Sequence, residues 1–233
     1  MAESCSRPQD IYIVIPAYEE GIVLRETVSE LIPFGFTIIV VDDGSSSPAS
    51  RLLSDLPLHC LRHAANLGQG AALETGMQFA LRRGADIIVH FDADGQHSPA
   101  LIQRLIAPIR SGQFDIAIGS RFLDPSDLCH VPRAKRILLR AGILISWMFS
   151  GLWLSDTHNG FRALSRTAAE RIHFSENGFA HATEILTLIK RYKLRLTEIP
   201  ATTRYTQHSM AKGQSFFNSF NIVFDLLLGK LVK

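Results

Sequence analysis

Short aliphatic runs alternate with amphipathic stretches through the first half of the chain. Ile11–Ile15 (IYIVI) reads as a buried strand ended by Pro16, and Glu19–Leu31 follows with Ile22, Val23, Thr27 and Leu31 at roughly helical spacing. Phe36–Val41 (FTIIVV) predicts a second strand and Leu58–Leu61 a weaker third. Gln69–Arg83 reads as a helix stopping near Gly84, Ala85–Phe91 as a strand, Pro99–Arg110 as a helix and Phe114–Gly119 as a further strand. Apolar strands alternating with helices predict right-handed βαβ units and a parallel sheet covered on both faces.

Such sheets bind ligands beyond the carboxyl ends of their strands, and those ends are polar here. They carry Pro16-Ala17-Tyr18-Glu19-Glu20, Asp42-Asp43-Gly44-Ser45-Ser46, Asp92-Ala93-Asp94-Gly95-Gln96-His97 and Ser120-Arg121. An extended backbone would aim Asp92 and Asp94 to the same side, and two such carboxylates repel unless a cation sits between them. Mg²⁺ or Mn²⁺ suits oxygen donors of this kind, its shell completed by water and substrate phosphates. The other reading is an acidic turn before a helix that Ser98 caps and Pro99 opens. Asp42-Asp43-Gly44 is either a tight turn or an acidic grip on ribose hydroxyls or base edges. Asn66-Leu67-Gly68-Gln69-Gly70 lets backbone approach a ligand at a helix start. It lacks a P-loop lysine and does not match G-x-G-x-x-G, which disfavours ATP hydrolysis and dinucleotide binding.

Composition narrows the class further. Of 233 residues, 46% are hydrophobic and 20% charged, ordinary for a globular chain. The net charge of +2 conceals an asymmetry: residues 1–120 carry 8 Lys and Arg against 14 Asp and Glu, and residues 121–233 carry 16 against 8. Cys5, Cys60 and Cys129 are too few for a disulfide framework or a cysteine metal site and read as thiols of a reducing compartment. The polar N-terminus, residues 1–10, lacks a signal-peptide apolar core and reads as disordered. The longest uncharged apolar stretch, Ala141–Ser155, falls short of the ~20 residues of a spanning helix.

The ordered set Ile15-Pro16-Ala17-Tyr18-Glu19-Glu20, Val41-Asp42-Asp43-Gly44-Ser45, Asn66-Leu67-Gly68-Gln69-Gly70, Asp92-Ala93-Asp94-Gly95-Gln96-His97 and Gly119-Ser120-Arg121 resembles glycosyltransferase family 2. Within that family it most resembles the dolichyl-phosphate mannosyltransferase-like, polyprenyl-phosphate branch. The likeness continues through Asp156-Thr157-His158-Asn159-Gly160-Phe161-Arg162, Glu184 and Lys212-Gly213-Gln214-Ser215, and spans roughly Ile11 to Leu228. The resemblance implies a GT-A fold, a Rossmann-like, mostly parallel α/β sheet flanked by helices. It also implies a UDP- or GDP-sugar donor, a divalent Mg²⁺ or Mn²⁺, and inversion at the anomeric carbon. Carried over by position, Pro16, Tyr18, Glu20 and Asp43 hold the nucleoside, and Asp92 and Asp94 with Gln96 place the metal on the diphosphate.

The basic half suits an anionic acceptor. Arg121, Arg133, Lys135 and Arg136 form a cationic group that, in the resembled branch, holds the phosphate of a polyprenyl phosphate; Leu139 stands where such relatives often carry a hydroxyl. A phosphate acceptor is largely ionised at neutral pH, its second pKa being ~6, and needs little help from a base. A sugar hydroxyl, the alternative acceptor in surface polysaccharide synthesis, needs one. Asp156 is the first candidate and Glu184 the second, while Asp156 also suits a cap on the turn before Gly160. In the family a basic residue of the following loop closes over the donor diphosphate, and Arg204 and Lys212 both qualify for that place.

Arg133–Leu154, with Trp147 and Trp153, suits either the membrane interface or a buried helix, and residues 214–233 read as a C-terminal amphipathic helix after an expected catalytic domain of residues 11–213. The expectation is a hexosyltransferase bound peripherally to the cytoplasmic side of a membrane, with a lipid-linked acceptor and no nucleic-acid partner. A homo-oligomer is compatible with it. A nucleotide-sugar-binding regulator without turnover is the non-enzymatic alternative.

Overall fold

The computed structural model describes residues 10–123, 151–152, 154–156, 159–178 and 180–202. In chain order these form β1 (Ile11–Ala17), α1 (Ile22–Leu31), a 3₁₀ turn (Ile32–Phe34), β2 (Thr37–Asp42), α2 (Ala49–Leu52), β3 (His59–Arg62) and α3 (Gln69–Arg82). There follow β4 (Ile87–His90), α4 (Leu101–Arg110), β5 (Ile116–Ser120), β6 (Arg162–Ser165), α5 (Arg166–Ala169), α6 (His181–Arg191) and β7 (Leu196–Pro200).

The strands make one seven-stranded sheet in the order β3-β2-β1-β4-β6-β5-β7. Neighbours pair in parallel except β6, which runs antiparallel to both β4 and β5. The continuous apolar strands bury both faces. One core packs Ile13, Ile15, Val40 and Val89 against Leu24 and Val28 of α1 and Ile102, Leu105 and Ile106 of α4. The other packs Val14, Ile39, Val41 and Ile88 against Leu73 and Met77 of α3 and Ile185, Leu186 and Ile189 of α6. No helix among the described residues is long and apolar enough to cross a membrane.

Most boundaries shift by one to three residues from the expected ones, and three of the shifts have a local reason. β1 continues through Pro16 to Ala17, with Pro16 in register with Val41. The β4 ladder ends at Val14, whose carbonyl accepts Phe91 N–H at 3.0 Å, so the donor missing from Pro16 has no rung to break. α1 starts at Ile22 rather than Glu19, because Glu19 (φ 54°) and Gly21 (φ 56°) are left-handed. α4 has Ala100 at its N-cap and no side-chain cap; Ser98 and Pro99 instead form a lead-in turn through their carbonyls to Leu101 and Ile102 N–H.

The expected segments Arg133–Leu154 and 214–233 lie wholly or mostly outside the described residues. So do Arg133, Lys135, Arg136, Leu139, Arg204, Lys212, Cys5 and Cys129.

Candidate active site

The loops at the carboxyl ends of β1, β2, β4 and β5 converge, and carboxylates tie them together. Glu19 N–H donates to Ser45 Oγ (3.0 Å), while the Glu19 carboxylate accepts from Ser46 N–H (2.6 Å) and Ser46 Oγ (3.1 Å). These bonds lock the loop after β1 to the loop after β2. A left-handed non-glycine residue is uncommon and carries a cost, which this double tie offsets.

Asp42 and Asp43 divide the labour. Asp42 is fully buried and accepts from Ser45 N–H (2.9 Å), Ala49 N–H (3.0 Å) and Arg62 Nη1 (3.1 Å). Burial alone would push its carboxyl up, but these donors more than offset it and hold the group below the usual carboxylate range. Asp43, also buried, accepts from Leu67 N–H (3.0 Å) and Gly68 N–H (2.7 Å) and pairs with His63 Nδ1 (2.7 Å). The other His63 nitrogen, Nε2, meets Thr75 Oγ1 at 2.9 Å. The expected nucleoside residue Asp43 thus holds the Asn66–Gly70 loop in place. Gly44 (φ +76°) is required where it stands, since a Cβ there would lie 2.5 Å from the Ala65 carbonyl carbon. Tyr18 is exposed and Glu20 half-buried at the same rim.

Asp92 and Asp94 follow β4, although not on an extended backbone. Ala93-Asp94-Gly95 forms a turn (Gly95 φ +71°), and Asp94 Oδ1 accepts Gln96 N–H at 3.0 Å. The turn still brings the two carboxylates into one field. Burial raises the Asp94 carboxyl and the Asp92 charge raises it further. Asp92 is raised chiefly by burial, with Glu20 adding to the shift and Arg162, Arg121 and a Gln69 hydrogen bond (3.3 Å) opposing it. His97 Nε2 stands 3.8 Å from Asp92 Oδ2, and its ring stacks on Phe161. Burial holds the His97 imidazole down at about 4, so it is neutral at physiological pH.

These residues fit a hard divalent ion. The donor set is oxygen, its two acids repel each other, and Asp92 keeps 28% of its side chain accessible. No group of three or more His, Cys, Asp or Glu side chains able to hold a metal forms among the described residues. Asp92 and Asp94 would supply two oxygen ligands to such an ion, its remaining ligands coming from substrate phosphate and water.

At the end of β5, Arg121 and Asp156 form a bidentate pair. Arg121 Nε and Nη2 donate to Asp156 Oδ2 and Oδ1 at 2.6 and 2.8 Å, and Arg121 N–H adds a third bond at 3.1 Å. Asp156 is buried, with Glu198 of β7 accepting its N–H at 3.2 Å and Ser155 N–H at 2.9 Å. In the turn before Gly160, Asn159 Oδ1 accepts Phe161 N–H at 3.0 Å. Glu184, the second candidate base, accepts from Ser175 N–H (2.9 Å) and Glu176 N–H (3.0 Å) and braces that loop.

Gln69, Gly160 and Arg162 fall inside the motifs quoted above with no role of their own read for them, and Glu198 falls in none. Gln69, Gly160, Arg162 and Glu198 each touch or border a predicted site residue, but only through contacts distant in the chain. The hint closest to hand is Arg162, a charged residue directly before the apolar pair Ala163-Leu164 of a short strand (RALS).

The sheet order and the antiparallel β6 are those of a GT-A fold. The chain belongs to glycosyl transferase family 2, whose family model matches residues 12–173. It is 31% identical over 243 residues to the UDP-N-acetylglucosamine–dolichyl-phosphate N-acetylglucosaminyltransferase of Methanococcus voltae, covering 96% of this chain and 97% of the other. It is 35% identical over 225 residues to an uncharacterized Methanocaldococcus jannaschii protein, covering 95% and 93%. Among solved structures it resembles glucosyl-3-phosphoglycerate synthase of Mycobacterium tuberculosis in complex with Mn²⁺, UDP and glucosyl-3-phosphoglycerate. That likeness has a TM-score of 0.65 at 16% identity, covering 94% of this chain and 79% of the other.

Proposed function

We propose that this glycosyltransferase moves a sugar from a UDP- or GDP-linked donor to a polyprenyl phosphate, with inversion, at the cytosolic face of a membrane. The observation that carries the choice of acceptor is the Arg121–Asp156 pair. A hydroxyl acceptor needs a base, and taking a proton on Asp156 would break a buried bidentate ion pair. An ionised phosphate needs none. The M. voltae relative, named for a dolichyl-phosphate acceptor, supports the same choice.

In this reading Pro16, Tyr18 and Glu20 face the nucleoside, and Asp43 acts by fixing the Asn66–Gly70 loop beside it. Asp92 and Asp94 hold Mg²⁺ or Mn²⁺, with Gln96 fixing Asp94 through its backbone; a bound ion stabilises charge on the departing diphosphate. Arg121, held rigid by Asp156, meets the acceptor phosphate together with Arg133, Lys135 and Arg136, while Arg204 and Lys212 meet the donor diphosphate. An acceptor phosphate oxygen attacks the anomeric carbon as its bond to the diphosphate oxygen breaks, and the electron pair leaves on the nucleoside diphosphate. Recessed, low-dielectric surroundings strengthen each of these charge contacts.

Incubation with Mn²⁺, labelled UDP- and GDP-sugars and polyprenyl phosphate is expected to give an acid-labile lipid-linked sugar. Transfer to oligosaccharide hydroxyls alone would overturn the reading. Asp94→Ala is expected to abolish turnover; unchanged turnover removes the metal assignment.

A further inference from the structure

Arg162 is the charged group at this site that the chemistry above leaves unused. It opens β6, is 1% exposed and is among the largest fully buried side chains. The antiparallel register sets it opposite His90 of β4. Two residues further out, on the same face, the register continues to Gly160 and Asp92, and their approach is close: a Cβ on Gly160 would lie 2.5 Å from Asp92 Oδ2. Arg162 and Asp92 are therefore diagonal neighbours on one face of the sheet, within reach of a long side chain.

The guanidinium is sparsely held. Nε donates to the Asn159 carbonyl at 2.9 Å, while among the described residues Nη1 has no hydrogen-bond partner. No carboxylate of the described residues comes within ion-pair distance of it. His90, across the ladder, has no partner on either ring nitrogen and is driven neutral by burial and by the Arg162 charge. Burial lowers the Arg162 guanidinium to about 10, and Asp92 and Asp156 favour its charge, so it is a permanent cation at neutral pH. A buried cation without a direct ion pair is costly in any fold. Its neighbours show what it balances, the carboxylates Asp92 and Asp156.

We propose that Arg162 is a fixed internal counter-charge to the metal-binding carboxylates, so that the divalent ion binds weakly until the donor diphosphate arrives. The proposal rests on the Asp92–Asp94 metal reading and deepens it. In the donor-free protein Arg162 already offsets much of the charge a divalent ion would find at Asp92, and it repels the ion. The donor diphosphate brings fresh negative charge, which both cations then share. Arg162 is a positioning residue in this scheme, acting on the metal through the field at Asp92.

A merely structural role predicts the opposite sign, which makes the test decisive. Mn²⁺ binding is measured by electron paramagnetic resonance on the full chain, with and without UDP or GDP. Arg162→Met is expected to bind Mn²⁺ alone at least tenfold more tightly than the wild type, with a smaller gain on adding nucleotide. Arg162→Lys is expected to stay within about threefold of the wild type. If the Met variant does not fold, Arg162→Gln makes the same charge change and keeps a donor for the Asn159 carbonyl. Unchanged or weaker Mn²⁺ binding in a folded neutral variant overturns the proposal. A wild type whose nucleotide-dependent Mn²⁺ signal persists in Asp94→Asn overturns the metal reading itself, and the proposal with it.

Discussion

At the scale of single residues, the site depends on two close approaches. Gly160 has no side chain because Asp92 occupies the space: a methyl there would stand 2.5 Å from one carboxylate oxygen and 2.8 Å from the other. Gly160→Ala must push the carboxylate aside, and a displacement of about 1 Å at a reacting centre costs on the order of 100-fold. We expect kcat/KM to fall by about that factor while the melting temperature moves little, checked by steady-state transfer assays beside thermal unfolding. The second approach is the Arg121–Asp156 fork. Asp156→Asn keeps the shape and removes the charge, and is expected to cost about 2 kcal/mol of stability in urea titrations. With a phosphate acceptor, the acceptor KM should rise about tenfold and kcat should fall less. A collapse of kcat with KM unchanged would instead identify Asp156 as a base for a hydroxyl acceptor.

At the scale of elements, what the sequence made legible is what hydrophobic periodicity reports. The five strands from β1 to β5 and helices α1, α3 and α4 occur where apolar runs predict them, and their polar ends form the site. Boundaries moved where single residues leave the helical or extended regions, as at Glu19 and Gly21. β6 stayed hidden because its four residues begin with Arg162, whose burial follows from its neighbours and not from its own polarity. The brace made by Glu184 was not legible for a related reason, its partners being backbone N–H groups that carry no side-chain signature. That brace has a purpose in the fold. Glu184 grips Ser175 and Glu176, Glu74 of α3 accepts Phe174 N–H at 2.9 Å, and the Asn177 carbonyl accepts Gly70 N–H at 2.7 Å at the start of α3. A loop thus supplies the acceptor that the α3 N-terminus needs. Glu184→Gln is expected to speed hydrogen exchange of the Gly70 and Ala71 amides about tenfold, equivalent to about 1.4 kcal/mol of local opening. Amides in the β1–β2 ladder should be unaffected.

At the scale of the whole molecule, the near-zero net charge hides an arrangement by function. The acidic front half contributes Glu20, Asp43, Asp92 and Asp94 to the strand ends, and the chain beyond it returns Arg121, Asp156 and Arg162 to the same edge of the sheet. Crossing of β6 between β4 and β5 is what brings the halves together, because it inserts Arg162 beside β4. The cost of a buried cation spreads to its neighbours, and His181 of α6 records it. Its Nδ1 donates to the Gly178 carbonyl at 2.7 Å, and burial, with the Arg162 charge adding to it, lowers its imidazole to about 4. The unfolded chain, with histidine near 6.5, binds a proton that the folded chain refuses between these two values. Stability from the neutral His181 is therefore fully present above pH 6.5 and is lost as the pH falls towards 4. Between pH 7.5 and 4.5 this single group is expected to account for on the order of 2 kcal/mol. His181→Gln removes the titration and keeps a polar side chain, so the stability gap between wild type and variant in urea titrations should shrink by about that amount over the same interval. A constant gap would show that His181 takes up its proton inside the folded protein, and that the Arg162 field does not extend to α6.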